Sequence, residues 1–291
     1  MGKYMFFKGC TIPVRLPRLE KLALDILPEI GVELEESDDF SCCPDPVQAQ
    51  GANLTYWYAS AARNICIAEE KGLDIITMCN GCLNTLAQVN HNLKKDPALK
   101  KAVNEILSAV GKEFKGTIEV KHLMQVIKDD VTLDKLKGKV KKPLKDLKVA
   151  AHPGCHLLCP EEILGYDNPV EPLNYDAFIE ALGAKAIDYV KKIDCCGVSL
   201  SLGGAKEANN DCIASKLIDA KGSGADAIST GCPFCYTQFD MGQMLAARKL
   251  DNLKETKLPV LYAIELIGLA LGKSLDDIGY SEHKIKPELK V

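Results

Sequence analysis

Ten of the thirteen cysteines in this 291-residue sequence fall into two sets with nearly the same internal spacing. The pattern is C-x31-CC-x35-C-x2-C in the first half and C-x39-CC-x35-C-x2-C in the second. The first thiol set is Cys10, Cys42, Cys43, Cys79 and Cys82, and the second thiol set is Cys155, Cys195, Cys196, Cys232 and Cys235. Thiolates are strong ligands for soft metals, so this spacing predicts metal chemistry.

Disulfide chemistry is the less favoured explanation of these cysteines. The N-terminal stretch MGKYMFFKGC lacks the apolar core and the cleavage site of a secretion signal, and we expect a cytoplasmic protein. Cytosolic thiols are kept reduced, so thirteen cysteines in a large chain favour metal ligation.

The count of five per set limits the kind of metal site. A structural zinc takes four ligands, and a cubane iron–sulfur cluster also takes four, often from a compact run. Adjacent cysteines in an extended segment point to opposite sides, so they more easily reach different irons of one assembly. Five thiolates favour a cluster that is larger or more open than a cubane. Zinc, or a four-ligand cluster with one free thiol, remains an alternative.

The segments around the cysteines predict an α/β fold. Short apolar runs with the composition of strands precede four cysteines, namely YMFF, DIIT, VAAH and DAIS. Helical patterns lie between them, namely LPRLEKLALDILPEIG, TYWYASAARNICIAEEKG, YDAFIEALGA and NNDCIASKLIDAKGSG. The alternation predicts a small, largely parallel sheet flanked by helices in each half, with the ligands at strand ends and helix starts.

The two halves read as a duplicated domain. From the paired cysteines to the closing motif they keep one offset of 153, and flanking segments such as VKHLMQVIK and VLYAIELIG also correspond. We predict one domain over residues 1–140 and a second over 141–291, with the lysine-rich segment 133–147 as a solvated linker.

Composition excludes two classes of partner. The net charge is −4 without a long basic run, so we expect no nucleic-acid binding. The longest apolar run, LPVLYAIELIGLALG, carries Glu265 and is too short to span a bilayer, so we expect no membrane span.

The duplicated cysteine pattern resembles the cysteine-rich CCG domain family, and the second half reads CCG at 195–197. The first half departs from that motif, because Pro44 stands in place of the glycine. Two such domains in one chain resemble the family of B subunits of the heterodisulfide reductases of methanogenic archaea.

The resemblance implies an oxidoreductase. In that family each domain binds a noncubane [4Fe-4S] cluster through its five cysteines, which would assign the first thiol set to one cluster and the second to another. The mixed disulfide of coenzyme M and coenzyme B (CoM-S-S-CoB) is split between the clusters. Zinc in place of one cluster is the alternative, and Pro44 marks where the halves differ.

The resemblance also implies partner subunits. The sequence has no G-x-G-x-x-G fingerprint, so electrons would come from the iron–sulfur C subunit and the flavin-bearing A subunit of the reductase. A hydrogenase or a formate dehydrogenase would supply that complex. The anionic substrate would enter past cations, and Arg15 is one candidate.

Two other functions stay open at this point. One is a CCG subunit of a thiol-driven fumarate reductase, or of lactate or glycerol-phosphate oxidation. The other is a non-catalytic electron-transfer or zinc-containing subunit.

Residues outside the repeat have simpler interpretations. His156, beside Cys155, is a candidate proton donor, whereas His152 is expected to be structural. Cys159 is the competitor of Cys155 as a ligand, and Cys66 and Cys212 are expected to be small buried hydrophobes.

Overall fold

Two four-stranded parallel sheets organise the protein. The structure is a computed structural model that describes residues 2–289 and 291. The strand orders are β2-β1-β3-β4 and β6-β5-β7-β8, and every pairing is parallel. The strands are β1 (Gly2–Phe7), β2 (Val32–Glu35), β3 (Ile75–Thr77), β4 (Val120–His122), β5 (Lys148–His152), β6 (Lys185–Ile187), β7 (Ala227–Thr230) and β8 (Val260–Tyr262). The second sheet therefore repeats the first.

Helices connect the strands and cover the sheets. Those of the first half are α1 (Thr11–Arg15), α2 (Pro17–Ile26), α3 (Gln48–Ala52), α4 (Leu54–Lys71), α5 (Asn80–Lys95), α6 (Pro97–Leu107), α7 (Leu123–Val126) and α8 (Leu133–Lys139). Those of the second half are α9 (Cys155–Leu158), α10 (Glu161–Leu164), α11 (Asn174–Ala181), α12 (Val198–Leu202), α13 (Lys206–Gly222), α14 (Pro233–Thr237), α15 (Gln243–Ala246) and α16 (Ala263–Ala270). Short 3-10 turns span Leu27–Ile30, Ser108–Val110, Asp251–Leu253 and Tyr280–Glu282, and π-helical turns span Ile127–Val131 and Gln238–Gly242.

The central strands are buried on both faces, as parallel strands covered by helices must be. Residues 4–7 of β1 and residues 227–230 of β7 are buried without alternation. The predicted α/β class with parallel sheets is confirmed, and the four predicted strands and four predicted helical patterns lie where the sequence indicates.

The lysine-rich segment 133–147 is more than a linker, so that prediction was wrong in part. Its lysines are exposed, but Leu136, Leu144 and Leu147 are buried in the core. Residues 133–139 form α8, and the backbone N–H groups of Lys141 and Lys142 both donate to the carbonyl of Ala270. Leucines spaced among the lysines give an amphipathic segment that packs instead of remaining solvated. The predicted boundary near residue 140 stays a prediction.

A buried polar cluster joins the two halves. The guanidinium of Arg18 on α2 donates to the Glu265 carboxylate at 3.0 Å and to the Tyr236 hydroxyl at 2.8 Å. His283 contacts the same carboxylate oxygen at 3.0 Å. Burial alone would raise the pKa of Glu265, but the nearby His283 and Arg18 outweigh it and the pKa is lowered. This ion pair is shielded from water, because Glu265 is fully buried and the Arg18 side chain is 9% exposed.

We expect Arg18→Met to lower the free energy of unfolding by about 3 kcal/mol, because it leaves the Glu265 carboxylate buried without its guanidinium partner. Urea unfolding followed by far-ultraviolet circular dichroism under anaerobic conditions measures this. The matched control is Lys3→Met, which removes an exposed pair with Glu35 and should change the value by less than about 1 kcal/mol. Equal effects of the two substitutions would contradict the assignment.

Candidate functional site

All ten repeated cysteines lie beyond the carboxyl ends of strands, where parallel α/β sheets place their sites. Cys10 and Cys155 follow β1 and β5 after a glycine, and Cys79 and Cys232 follow β3 and β7. Gly9 and Gly154 have φ of +67° and +82°, a conformation that side chains disfavour. A Cβ at Gly9 would lie 2.8 Å from the Cys82 sulfur. The strand-end turn therefore requires glycine to bring these thiols together.

The two C-x-x-C motifs sit at helix N-termini in matching ways. Cys79 and Cys232 are the N-cap residues of α5 and α14, and the second cysteine of each motif lies in the first turn. The backbone N–H of Cys79 donates to the Thr77 hydroxyl at 3.3 Å, and that of Cys232 donates to the Thr230 hydroxyl at 3.4 Å. A helix N-terminus stabilises negative charge, so these positions suit sulfurs that are bound to a metal. Without a metal, neighbouring thiols and burial raise the pKa of Cys79, Cys82 and Cys235.

The two members of each adjacent pair differ in burial, but their thiols interact with each other, so the expectation that they point to opposite sides was wrong. Cys43 and Cys196 are buried, whereas Cys42 and Cys195 are exposed. The turn after each pair differs between the halves. Gly197 has φ of +86°, and its N–H donates to the Cys195 sulfur at 3.4 Å. Pro44 cannot adopt that φ, and its carbonyl accepts from the Thr85 hydroxyl at 2.7 Å instead.

Each of the ten thiols perturbs the pKa of the next, and this sequence of pairwise effects places them in a single row. The row runs Cys10, Cys42, Cys43, Cys82, Cys79, Cys232, Cys235, Cys196, Cys195 and Cys155. The second half thus reverses the order of the first, and the row passes from one half to the other at Cys79 and Cys232. The structure brings all ten predicted residues into one region.

Neighbouring thiols stabilise one thiolate in the first thiol set, Cys43, and two in the second, Cys195 and Cys232. Contacts with the thiols of Cys42 and Cys82 lower the pKa of Cys43 to about 5. Contacts with the thiols of Cys155 and Cys196 lower the pKa of Cys195 to about 2. A thiolate that accepts from neighbouring thiols is a preformed ligand, because metals bind the deprotonated sulfur.

Hydrogen bonds to two carbonyl groups hold the halves together beside Cys79 and Cys232. The ring of His122 accepts from the Met124 N–H at Nδ1, so Nε2 carries the proton and donates to the Gly231 carbonyl at 3.0 Å. The Tyr262 hydroxyl contacts the same carbonyl at 2.9 Å and also the Met78 carbonyl. We call these residues, His122, Tyr262, Met78 and Gly231, the carbonyl bridge. Sequence reasoning assigned no role to His122 or Tyr262.

His156 borders a cleft at the second thiol set. The cleft is lined by Asp45 and Val47 from the first half and by Phe234, Cys155 and Cys195 from the second. Asn84 reaches across from α5 and donates to the His156 carbonyl at 3.3 Å. Burial lowers the pKa of His156, so its ring is neutral near pH 7 and must take up a proton before it can act as a strong acid.

His152 lies beside the second thiol set, and its two ring nitrogens are buried without hydrogen-bond partners among the described residues. Its ring is 1% exposed, stands edge-on to Phe239 at 4.8 Å, and has no partner for either nitrogen among the described residues. Buried polar groups almost always have partners. A sulfide of an iron–sulfur cluster would accept from such a ring, and five free thiols would bind its irons, so these residues fit the group.

The remaining three cysteines are not members of the row, although Cys212 lies beside Gly197 and therefore close to the second thiol set. Cys66 is buried in α4, as expected, but Cys212 on α13 is only half-buried, because its helix face borders solvent. Cys159 is exposed, and its carbonyl, not its sulfur, is engaged, by Asn84 at 2.7 Å. Within residues 2–289 and 291, no three His, Cys, Asp or Glu side chains are arranged to hold a single metal ion.

Arg15 lies at a second cleft, of about 630 Å³, which is shared by the two halves. Arg18 and Lys284 add positive charge to its lining, and Asp240 and Glu282 add negative charge. In the part of the chain that the structure describes, no helix has the length and apolar character needed to cross a bilayer.

Comparison with known proteins identifies relatives across the full length. The chain matches the cysteine-rich domain family CCG over residues 4–87 and again over 149–240. It is 38% identical to the B subunit of the ferredoxin/F(420)H(2)-dependent CoB-CoM heterodisulfide reductase of Methanosarcina acetivorans, covering 98% of this chain and 95% of that protein. It is 34% identical to the 8-methylmenaquinol:fumarate reductase membrane anchor subunit of Wolinella succinogenes, covering 97% of each.

A solved structure shares the fold. A hypothetical protein from Helicobacter pylori superposes with a TM-score of 0.76 at 15% identity, covering 98% of this chain and 52% of that one. At this identity the likeness shows the fold alone.

The carbonyl bridge makes stability depend on pH. Burial lowers the pKa of His122 from its ordinary value of 6.5 to about 4, so the folded protein resists protonation that the unfolded chain accepts. The stabilisation is present above pH 6.5 and is lost as pH falls towards 4. Wild-type protein should therefore lose about 2 kcal/mol between pH 7 and pH 5 that His122→Asn does not lose.

Urea unfolding at both pH values measures this difference, and Asn retains an acceptor for the Met124 N–H. His91→Asn is the matched control, since His91 is partly exposed on α5. Parallel pH profiles for the wild type and His122→Asn would show that His122 is not the titrating group.

Proposed function

The chain contains two copies of the cysteine-rich CCG domain and belongs to that family, and on this premise we propose that it is the disulfide-cleaving subunit of a heterodisulfide reductase. Its substrate would be CoM-S-S-CoB. The observation that carries the proposal is the single row of ten thiols, in which two five-thiol sets meet at Cys79 and Cys232. A reaction that separates two sulfurs suits a site with two equivalent metal-binding halves facing one another.

Each thiol set would hold one noncubane [4Fe-4S] cluster. Five thiols in a row span more than the four-sulfur tetrahedron around zinc, and each cysteine pair has one buried and one exposed member. The unpartnered ring of His152 supports a sulfide-bearing group at the second set. Zinc at the first set, where Pro44 changes the turn, is the alternative.

Reduction of a disulfide to two thiols consumes two electrons and two protons. Bound iron–sulfur clusters would supply one-electron transfer and sites for sulfur. The protein itself has the remaining tasks. The helix N-termini hold the thiolates, and the carbonyl bridge fixes the two thiol sets against each other. His156 supplies a proton at the mouth of the cleft that it lines with Asp45 and Val47. Its neutral ring would be recharged from solvent, since the residue is only half-buried.

Electrons would come from partner proteins in the cytoplasm. We propose the iron–sulfur C subunit and the flavin-bearing A subunit of the reductase as those partners, with a hydrogenase or a formate dehydrogenase behind them. The cleft with Arg15 and Lys284 is the proposed approach for the sulfonate, carboxylate and phosphate groups of the substrate, because cations at an entrance attract anions.

The similarity to the Wolinella succinogenes subunit favours a second candidate. In this case the chain would be an electron-transfer subunit of a fumarate reductase and would cleave no disulfide. A disulfide cleavage assay of the purified complex separates the two functions.

The first test combines metal analysis with turnover. We expect about eight irons per chain in the anaerobically purified protein, and about four in either Cys43→Ser or Cys196→Ser, because each set would lose its cluster independently. Both variants should lose cleavage of CoM-S-S-CoB with a reduced dye as electron donor. Cys66→Ala is the matched control and should keep both the iron and the activity, since Cys66 lies outside the row.

A thiol-dependent paramagnetic signal after oxidation would place substrate sulfur at one site. Stoichiometric zinc with about four irons would instead indicate one zinc site and one cluster. Full iron content without any cleavage would reject the proposed reaction and leave the electron-transfer function.

His156 should act at the proton-transfer step. We expect His156→Asn to lower the turnover number by about 100-fold while the iron content stays unchanged, a loss typical of a missing general acid. His91→Asn serves as the control. A turnover number that is unchanged across pH 6 to 8 would remove His156 from the mechanism.

A further inference from the structure

A buried lysine lies behind the second thiol set and has no part in the mechanism above. Lys216 on α13 is 0% exposed. Its ammonium donates to the backbone carbonyl of Lys192 at 3.1 Å and to that of Lys191, and it stands 5.5 Å from the centre of the Tyr189 ring. The segment 189–192, which leads into Cys195, therefore surrounds one positive charge.

No carboxylate of the described residues lies within ion-pair distance of this ammonium. The carboxylate that attracts it most, Asp194, pairs with Lys191 at 3.4 Å instead. After Asp194, the groups that attract Lys216 are Cys235, Cys196 and Cys195 in their deprotonated, metal-binding form. A buried charge without compensation is unfavourable, so deprotonated sulfurs of the second thiol set are its natural counter-charge.

Burial lowers the pKa of Lys216 to about 8, which leaves most of the ammonium charged at pH 7. His152 adds a second polar group on the same side, because both Lys216 and the Cys195 thiolate influence its ring. The second thiol set therefore faces a cation and an imidazole that has no partner among the described residues.

The first thiol set has a different environment. The repeat offset places Arg63 opposite Lys216, and Arg63 donates to the Asp39 carbonyl at 2.9 Å, the counterpart of the Lys192 carbonyl. However, Arg63 is partly exposed, so water screens its charge. Phe7, buried and apolar, stands where the second half has His152. The two sites thus share their ligands and differ in the charge behind them.

We propose that Lys216 is a positioning residue that makes the second site the more easily reduced of the two. This inference rests on the proposed function, since it assumes a cluster at each thiol set. A fixed positive charge in a poorly solvated position stabilises the added electron, so it raises the reduction potential of the nearby site. An electron that enters the chain then resides at the second site, and the first site remains oxidised until a second electron arrives.

An anaerobic redox titration followed by electron paramagnetic resonance tests the proposal on the full chain. Cys43→Ser and Cys196→Ser, which would each retain one cluster, assign the signals to the second and first sites. In the wild type, the second site should have the higher potential. If the first site of the wild type is reduced before the second, the proposal is overturned, and no substitution of Lys216 is needed to show it.

Substitution of Lys216 gives the second measurement. Lys216→Met should lower the one-electron equilibrium constant of the second site about tenfold, which is about 59 mV, and leave that of the first site unchanged. Lys216→Arg, which keeps the charge, should restore the constant to within about threefold of the wild type. Arg63→Met is the matched control and should shift neither site. An unchanged second-site potential in a Lys216→Met chain with full iron content would overturn the proposal.

The outcomes also separate this inference from the proposed function. A Lys216→Met shift in a chain that cleaves no disulfide would reject the reaction and retain the electrostatic role. Absence of iron from the second thiol set of the wild type would reject both.

Discussion

The contact between the two halves at Cys79 and Cys232 is the constraint on which the rest of the structure depends. Each cysteine ends a central strand and begins a helix, so its position is fixed by a sheet on one side and a helix on the other. The carbonyl bridge and the Arg18–Glu265 pair then hold the two sheets in one arrangement. Because the remaining eight cysteines of the row follow strands of the same two sheets, their positions depend on this contact.

The sequence predicts the fold class and the grouping of the ten cysteines because both are encoded in local patterns. Cysteine spacing, apolar runs of strand length and helical periodicity are visible in a single chain. The carbonyl bridge is not visible in the sequence. His122 and Tyr262 donate to backbone carbonyl oxygens that are more than 30 residues away along the chain, and some of these contacts join the two halves. The same holds for Lys216, which reads as one lysine among many until burial distinguishes it. The segment 133–147 shows the opposite error, in which a high lysine content concealed three buried leucines.

The two copies of the domain carry equivalent sets of five cysteines, and the residues around the two sets differ. Gly197 and Pro44 give different turns after the paired cysteines, and Lys216 and Arg63 place a similar charge at different depths. Two identical one-electron sites would have no preferred order of filling. Differences in the residues behind the ligands can create that order without altering any ligand.

The carbonyl bridge has a consequence for how such a duplicated protein can diverge. Its acceptors are main-chain oxygens, which no substitution can delete. Met78 and Gly231 therefore both accept a hydrogen bond although one has a long side chain and the other has none. What evolution must keep matched is the space around each carbonyl. A Cβ at Gly231 would lie 2.8 Å from the His122 ring, so the side chains at 122 and 231 must change together. Across relatives, positions 122 and 231 should therefore vary jointly, even though their side chains do not bond to each other.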